Sequence, residues 1–229
     1  MTYSTVLLDF DHTLLDTDTS EVEAYTLTLR NQGVADPMEH FALYKEINLG
    51  LWAAVERGEL LPTDVRAERF QRLIDALEVE ADVDQMADDF VVGFATHGDL
   101  YPGARQVLDE LSSRVSLALV TNGLSEVQRP RIARLDIEHH FDAIVISAEV
   151  KTTKPGSRIF DIAFDRLGNP PKKTALMVGD SLSSDIKGGA DYGIATCWYN
   201  PNGTTAGPDD RITHEIKALE ELVGFVTGL

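Results

Sequence analysis

Five short apolar runs, separated by longer amphipathic stretches, restrict this chain to few possible folds. The runs lie at residues 5–10, 116–120, 143–146, 175–178 and 195–198. Several of them are continuous instead of alternating, which favours strands that are buried on both faces of a parallel sheet. Helical patterns separate the last four runs, for example at residues 104–111 and 158–167. Strands that alternate with helices predict an α/β fold with a doubly wound parallel sheet.

The stretch from residue 16 to residue 98 breaks this alternation. Its apolar residues recur at helical spacing, and they include Leu27, Leu43, Ile47, Leu51, Val55, Phe70, Leu73, Ile74, Leu77, Met86, Phe90 and Val91. Pro37 and Pro62 mark breaks between helices. We therefore predict a helical cap domain at residues 16–98, inserted into a core domain of residues 1–15 and 99–229, with a ligand cleft between the two.

The charge of the chain limits its partners. The 229 residues carry a formal net charge of -18, and such a surface repels nucleic acid polymers and anionic membranes. A small anionic substrate is still allowed, since local cations and backbone amides can dominate one pocket. The acidity fits either a need for solubility or a saline cytoplasm. We expect a monomer or a homodimer that binds neither nucleic acid polymers nor membranes.

The sequence gives no sign of export or membrane insertion. No apolar stretch approaches the ~20 residues of a membrane span. The first apolar run follows no basic region and is broken by Asp9, so we expect no signal peptide. The single cysteine, Cys197, excludes an internal disulfide and fits a reducing compartment. Because Cys197 lies in an apolar run, packing is favoured over reactivity, and we expect a cytoplasmic protein.

Two aspartates, Asp9 and Asp11, stand at the end of the first apolar run. Side chains of an extended backbone alternate in direction, so both carboxylates would point the same way past the strand. Neighbouring carboxylates resist ionising together unless a cation lies between them or one keeps its proton. Both conditions suit phosphoryl chemistry. The alternative is that the motif is only a turn and a helix cap.

Polar segments also follow the second and third runs. Thr121, Asn122 and Gly123 offer a hydroxyl and successive amides that could hold phosphate oxygens, although Asn-Gly is also a common turn. Lys154 precedes Pro155, which indicates a rigid turn at the mouth of the next helix. Alternatively, Lys154 is a solvated surface lysine. Ligands of parallel sheets bind beyond the carboxyl ends of the strands, so these segments are candidates for one site.

Two more carboxylates follow the fourth run. Asp180 would extend from the strand end as Asp9 does, and Asp185 would lie about one turn further on. An acidic pair beside a buried strand is a plausible Mg²⁺ site, since Mg²⁺ prefers carboxylate and water oxygens. The four strand ends together offer a nucleophile, a hydroxyl and amide clamp, a cation and metal ligands. This combination is far more specific than any one of its parts.

With these segments taken together, the chain resembles the haloacid dehalogenase-like hydrolase superfamily. The four motifs lie at residues 9–13, 121–122, 154–155 and 179–185, and the match spans essentially the whole chain. The insertion is similar to the helical cap of the first type in that superfamily. The resemblance implies a Rossmann-like α/β core with an inserted α-helical cap.

A closer likeness is to the noncanonical pyrimidine 5′-nucleotidase branch. It rests on residues 48–52, 145–150, 176–180 and 195–200. The chain departs from that branch at residues 151–153, where smaller, uncharged residues are usual, and from the superfamily at His12, where Gly or Glu is frequent. Asn48 and Trp52 are candidates for contact with the substrate from the cap. A core role is the alternative for Trp52.

The resemblance implies a Mg²⁺-dependent phosphomonoesterase that acts on a small phosphorylated metabolite. Asp9 would attack phosphorus and form an aspartyl-phosphate, and Asp11 would protonate the leaving alkoxide and then activate water. Thr121, Asn122 and Lys154 would bind the phosphate. The ligands of Mg²⁺ would be Asp9, the backbone carbonyl of Asp11, Asp180 and, through water, Asp185.

The substrate class stays open at this point. A nucleoside 5′-monophosphate fits the branch, while a sugar phosphate or phosphoglycolate fits the superfamily. Dehalogenation of a 2-haloacid would need neither Mg²⁺ nor an acid, so Asp11 and Asp180 argue against it. The intact motifs argue against a non-enzymatic sensor or scaffold. Thr13 is expected to support the loop, and His139 and His140 are expected to lie at the surface.

Overall fold

A parallel sheet forms the centre of the molecule. In the computed structural model, which describes residues 3–206 and 211–228, six strands pair in the order β3-β2-β1-β4-β5-β6. Each pairing is parallel. The strands are β1 (Thr5–Leu8), β2 (Ser116–Thr121), β3 (Ala143–Ile146), β4 (Ala175–Gly179), β5 (Ala195–Tyr199) and β6 (His214–Ile216). The predicted α/β fold with a doubly wound parallel sheet is therefore confirmed.

Helices fill the insertion that follows β1. Within residues 17–96, all of which are described, they are α1 (Thr17–Asn31), α2 (Phe41–Glu56), α3 (Pro62–Leu77) and α4 (Val83–Thr96). They enclose a hydrophobic cluster of their own around Tyr25, Tyr44, Phe70 and Phe90. Leu27 was predicted in this core but is 41% exposed. It stands two residues from Tyr25, which places it on the opposite side of α1.

Further helices cover both faces of the sheet. They are α5 (Ala104–Ser112), α6 (Ser125–Arg134), α7 (Ser147–Val150), α8 (Ser157–Arg166), α9 (Lys187–Tyr192) and α10 (Glu221–Thr227). Val6 and Leu8 of β1 face the cluster that includes Leu108 of α5, and Leu7 faces the cluster that includes Phe160 of α8. Burial on both sides explains the continuous apolar runs. In the described part of the chain, none of the helices has the length and apolar character to cross a membrane.

The end of β1 and the presence of β6 differ from the prediction. β1 ends at Leu8, two residues before the predicted end, because the chain turns there and the Phe10 carbonyl accepts from the Leu14 and Leu15 N–H groups. β6 was not predicted from the sequence. It has only three residues at the edge of the sheet, and the burial of its side chains changes at every residue. Such a segment has no apolar run.

The chain passes between the sheet and the helical insertion twice, and the two crossings run side by side. Leu15 forms an antiparallel bridge with Leu100, and the Tyr101 N–H donates to the Leu14 carbonyl at 2.8 Å. A hinge requires two connecting segments that lie next to each other, and the segments around Leu15 and Leu100 do so. The division into a core of residues 1–15 and 99–229 and a cap of residues 16–98 stays a prediction. Parts of that core lie outside the described residues, namely residues 1–2, 207–210 and 229.

Cys197 and His140 are both buried. Cys197 is a free thiol on β5 whose pKa burial raises to about 12, in agreement with a packing role. The predicted surface position is wrong for His140, although His139 is exposed. The His140 ring lies under α5, with Nε2 3.4 Å from Asp109 Oδ1, and burial lowers its pKa.

Candidate active site

The order of the strands reverses between β1 and β4. The chain runs outward from β1 to β3 on one side and then places β4 on the other side of β1. In open α/β sheets, the carboxyl ends of the strands form a ligand crevice at such a switch point. Asp9 follows β1 and Asp180 follows β4, and the Asp9 N–H still donates to the Val178 carbonyl at 2.9 Å. Strand pairing thus brings together two carboxylates that are distant in sequence.

Asp185 joins these two carboxylates through a tight turn. One π-helical turn, Leu182–Ile186, leads the chain back toward the strand ends. A side chain at Gly179 would overlap the Asp185 carboxylate, so the approach requires a glycine at the end of β4. Carboxylate oxygens of Asp9, Asp180 and Asp185 lie within 4.8 Å of one another.

Lys154 provides the positive charge of this cluster. It is 1% exposed, which excludes the alternative of a solvated lysine, and its Nζ lies 2.5 Å from Asp9 Oδ1 and 2.7 Å from Asp185 Oδ1. Asn122 fixes the backbone that carries it. The Asn122 Nδ2 donates to the Lys154 carbonyl and the Lys154 N–H donates to Asn122 Oδ1, both at 2.9 Å. The end of β2 therefore positions the lysine.

Negative charge outweighs positive charge among these buried groups. Burial raises the pKa of Asp9, the charge of Asp185 raises it further, and Lys154 opposes both effects. Burial likewise raises the pKa of Asp180 and of Asp185. Burial alone would lower the pKa of Lys154, but Asp185 and Asp9 together raise it. Burial is thus the main cause of the three raised carboxyl pKa values, whereas the Lys154 pKa rises against burial because two of these carboxylates contact its ammonium group.

This donor set fits a divalent cation. Three carboxylates with one ammonium leave an excess of negative charge, and Mg²⁺ prefers carboxylate oxygens together with water. Asp9, Asp180 and Asp185 are the residues that could hold the ion. The Asp11 carboxylate lies outside this group of three. Coordination by the Asp11 backbone carbonyl stays a prediction.

The surroundings of the Asp11 carboxylate differ from those of Asp9. Its Oδ1 accepts hydrogen bonds from Arg131 Nη1 at 2.9 Å and from Thr17 Oγ1 at 2.8 Å, and its Oδ2 accepts one from Gln128 Nε2 at 2.6 Å. Arginine nitrogens and amide nitrogens only donate, so this arrangement suits the ionised carboxylate. The two aspartates of the first motif thus lie in contrasting environments, a condition for separate chemical roles.

Gln128 and Arg131 are site residues that the motifs do not reveal. Both lie on α6, one helical turn apart, so their side chains reach the same carboxylate. Gln128 Nε2 also donates to Thr121 Oγ1 at 2.9 Å, which ties the predicted phosphate-binding hydroxyl to Asp11. The signal that could have found them is the i, i+3 spacing of two long polar side chains directly after the Thr121 segment.

A cleft opens between the helical insertion and the core beside Asp11. Its enclosed cavity measures about 30 Å³, with Asp11 and Asn122 on its core wall and Trp52 on its cap wall. The cleft lies where the sequence predicts a ligand site. Asn48 lies one turn before Trp52 on α2 and is not among the residues that line this cleft; its Nδ2 donates to the buried Glu21 carboxylate at 2.7 Å.

A match with a known family spans most of this chain. Residues 6–199 match the family model of the haloacid dehalogenase-like hydrolases. The chain belongs to this family of hydrolases. The matched range includes the candidate site residues Asp9, Thr121, Lys154 and Asp180.

This hydrolase has relatives that it matches over nearly their whole length. It is 33% identical to the pyrimidine 5′-nucleotidase PynA of Streptococcus pneumoniae, over 97% of this chain and 94% of that protein. It is 31% identical to the pyrimidine 5′-nucleotidase YjjG of Escherichia coli, over 97% of each. The magnesium-bound crystal structure of the HAD-hydrolase YfnB from Bacillus subtilis, which reveals interdomain movement, aligns with a TM-score of 0.90 at 33% identity over 99% of both chains. The resemblance to the superfamily and to its pyrimidine 5′-nucleotidases is confirmed.

Thr13 and His12 shape the loop after β1 in this hydrolase. Thr13 Oγ1 donates to Asp180 Oδ1 at 3.3 Å and accepts from the Asp180 N–H at 3.1 Å, so Thr13 supports the loop as predicted. His12 has a φ of 58°, in the left-handed region that favours glycine. This backbone angle explains why a glycine suits the position that His12 occupies here.

Proposed function

We propose that this hydrolase is a Mg²⁺-dependent phosphatase that acts on nucleoside 5′-monophosphates, in particular those with pyrimidine bases. The observation that carries the proposal is the cluster of Asp9, Asp180, Asp185 and Lys154 at the switch point of the sheet. The cluster adjoins a cleft that has Asp11 on its wall. The names of PynA and YjjG support the pyrimidine nucleotide class.

Asp9 is the proposed nucleophile. Its ionised carboxylate attacks phosphorus, so a bond from an Asp9 oxygen to phosphorus forms while the bond from phosphorus to the nucleoside oxygen breaks. The product of this step is an aspartyl-phosphate. Lys154, 2.5 Å from Asp9 Oδ1, offsets the charge of the carboxylate and fixes its position.

Asp11 is the proposed acid and then the proposed base. It gives its proton to the leaving nucleoside oxygen, and it later takes a proton from the water that attacks phosphorus of the aspartyl-phosphate, which breaks the bond from phosphorus to Asp9 and releases phosphate. The donors Arg131, Thr17 and Gln128 suit the ionised form that the second step needs. In the first step Asp11 carries a proton, and Arg131 and Gln128 offer it no acceptor nitrogen.

The remaining predicted residues bind phosphate and metal. Thr121, Asn122 and Lys154 hold phosphate oxygens in line with the nucleophile. Asp9, Asp180 and Asp185, with the Asp11 backbone carbonyl, would hold the Mg²⁺. The bound ion would supply charge neutralisation between the nucleophile and the phosphate.

The variant Asp11→Asn tests the acid role. We expect kcat on a nucleotide to fall by roughly 10² to 10⁴-fold, the usual contribution of general acid–base catalysis. The loss in the first half-reaction should be much smaller with p-nitrophenyl phosphate, because nitrophenolate leaves without a proton. The rates of release of the two leaving groups in the first turnover give the comparison. Equal losses for both leaving groups would remove Asp11 from the acid role.

Arg131 connects Asp11 to the helical insertion. Its guanidinium is fully buried, its Nε donates to the Phe94 carbonyl of α4 at 2.7 Å, and its Cζ lies 3.7 Å from the centre of the Phe94 ring. The same guanidinium binds Asp11. A shift of α4 relative to α6 would therefore move a partner of the proposed acid.

The variant Arg131→Met should lower kcat by up to about 100-fold, because Asp11 loses a partner that positions it. Arg131→Lys keeps a positive charge and should recover part of the loss. Arg129→Met, at an exposed position of the same helix, is the matched control. A purely structural role would lower the melting temperature and leave the ratio of nucleotide to nitrophenyl phosphate rates unchanged, whereas a positioning role changes that ratio.

A panel of phosphate esters tests the proposed function. Phosphate release in the presence of Mg²⁺ is measured from UMP, dUMP, dTMP, phosphoglycolate and hexose phosphates. We expect the highest kcat/KM for the pyrimidine nucleoside monophosphates. A higher kcat/KM for phosphoglycolate or a hexose phosphate would replace the nucleotide class. Lack of phosphate release from every ester, or halide release from a 2-haloacid in the presence of EDTA, would overturn the phosphatase itself.

A further inference from the structure

Arg69 is a buried arginine on the wall of the cleft beside Asp11. It lies on α3 and is 4% exposed. Its Nε donates to the Val65 carbonyl at 3.0 Å, its Nη1 lies 3.4 Å from the Tyr44 hydroxyl, and its Cζ lies 4.9 Å from the centre of the Phe90 ring. These contacts fix the plane of the guanidinium.

The charge of Arg69 lacks an anionic partner among the residues that the structure describes, and its Nη2 makes no hydrogen bond with them while remaining within reach of solvent. The other arginines near this cleft are paired, Arg131 with Asp11 and Arg66 with Glu126. A buried arginine needs partners for its donors, because lost hydration is costly. An unpaired donor on a cleft wall therefore marks a place for a ligand acceptor.

Aromatic and aliphatic side chains form much of the remaining lining of the cleft. Trp52, Phe90 and Phe94 line it from the helical insertion, and Leu124 lines it from the core. Planar rings stack well on such side chains. Asp11 also lines the cleft, and it marks the place where the leaving oxygen of the substrate would lie. The chemistry of this lining thus suits a leaving group that ends in a flat heterocycle with an acceptor on its edge.

We propose that Arg69 binds a ring carbonyl of the pyrimidine base and thereby favours substrates whose base carries one, an inference that rests on the phosphatase function proposed above. A guanidinium only donates hydrogen bonds, so it pairs with a carbonyl oxygen and not with an amino group. Uracil, thymine, cytosine and guanine each carry a ring carbonyl, whereas adenine carries none. A buried group that is built to bond the substrate discriminates strongly against a substrate that lacks the partner.

A cycle of two enzymes and two substrates tests this assignment. The wild-type enzyme and Arg69→Met are assayed for kcat/KM on dUMP and on 2-deoxyribose 5-phosphate, which has the same sugar and phosphate and no base. We expect the ratio of dUMP to base-free substrate to fall roughly 10-fold to 100-fold in Arg69→Met, the loss typical of a charge-assisted hydrogen bond. Arg72→Met, at an exposed position of α3 where it pairs with Glu68, should keep the wild-type ratio.

The ratio of kcat/KM on dUMP to kcat/KM on 2-deoxyribose 5-phosphate separates recognition of the base from a structural role of Arg69. Equal losses on both substrates would mean that Arg69 only supports the helical insertion, and an unchanged ratio would exclude contact with the base. If the melting curve shows that Arg69→Met is unfolded, Arg69→Lys replaces it, with a smaller fall expected in the same ratio and with an unchanged ratio again overturning the assignment. Failure of the wild-type enzyme on both substrates would refute the proposed action on nucleoside monophosphates, a result that involves no variant.

Discussion

Replacing Asp9 with asparagine is expected to abolish phosphate release, with kcat falling on the order of 10⁴-fold or more, because an amide cannot form the covalent intermediate. The fold should survive this change. Burial and the charge of Asp185 raise the pKa of Asp9. A raised pKa means that stability is lost as the pH rises through it, so the ionised Asp9 destabilises the metal-free protein at neutral pH. We therefore expect metal-free Asp9→Asn to melt at or above the wild-type temperature, with Lys154 still paired to Asp185.

Asp191→Asn is the matched control for Asp9→Asn. Asp191 is exposed and pairs with Lys187 one turn away, and such surface pairs contribute little. Initial rates and melting curves of the three proteins give both readouts. Wild-type turnover by Asp9→Asn would remove Asp9 from the nucleophile role, and a lower melting temperature of the metal-free variant would contradict the excess of buried negative charge.

Removal of divalent cations is expected to have the second largest effect. EDTA should lower kcat/KM by about 10³-fold or more, since several kcal/mol of charge stabilisation are lost and each 1.36 kcal/mol is a factor of ten. Added Mg²⁺ should restore the rate. It should also raise the melting temperature, because a ligand that binds only the folded state stabilises it. Asp180→Asn should lose both effects, while its side-chain oxygen can still accept from Thr13.

The melting temperature with and without Mg²⁺ also locates the ion. Asp191→Asn should keep the wild-type response, since Asp191 is exposed on α9 and lies outside the cluster of carboxylates. Full activity after dialysis against EDTA would contradict the requirement for a cation. A response to Mg²⁺ that persists in Asp180→Asn would place the cation away from Asp9, Asp180 and Asp185.

The sheet could be predicted from sequence because strands buried on both faces need uninterrupted apolar residues. β3 begins and ends where its apolar run does, and β2, β4 and β5 extend their runs by one residue. β6 could not be found in this way, since His214 is half-buried and Glu215 is exposed at the edge of the sheet. The helical spacing of apolar residues also predicted the helices of the insertion. It did not decide which side of α1 faces the core, and for that reason Leu27 was wrongly placed there.

The cluster at the strand ends could be predicted for a related reason, because parallel strands place their carboxyl ends at one edge. Asp9, Asp180 and Lys154 meet there. The partners of Asp11 could not be predicted, because Arg131 reaches it from the side of α6 and depends on how α6 packs against α4. The burial of Arg69 depends in the same way on helix packing, here of α3 against α2 and α4. In an amphipathic helix, spacing alone does not separate a buried arginine from a solvated one.

The central claim, that Asp9 becomes covalently phosphorylated, can be tested directly by trapping. Asp11→Asn is mixed with p-nitrophenyl phosphate and Mg²⁺, because a good leaving group needs no acid while hydrolysis of the intermediate lacks its base. The reaction is quenched in acid, and the peptide that contains Asp9 is analysed by mass spectrometry. The proposed mechanism predicts a burst of nitrophenolate and a hydroxylamine-sensitive phosphoryl group on Asp9. Nitrophenolate release with an unmodified Asp9 peptide, or a phosphoryl group on another residue, would contradict it.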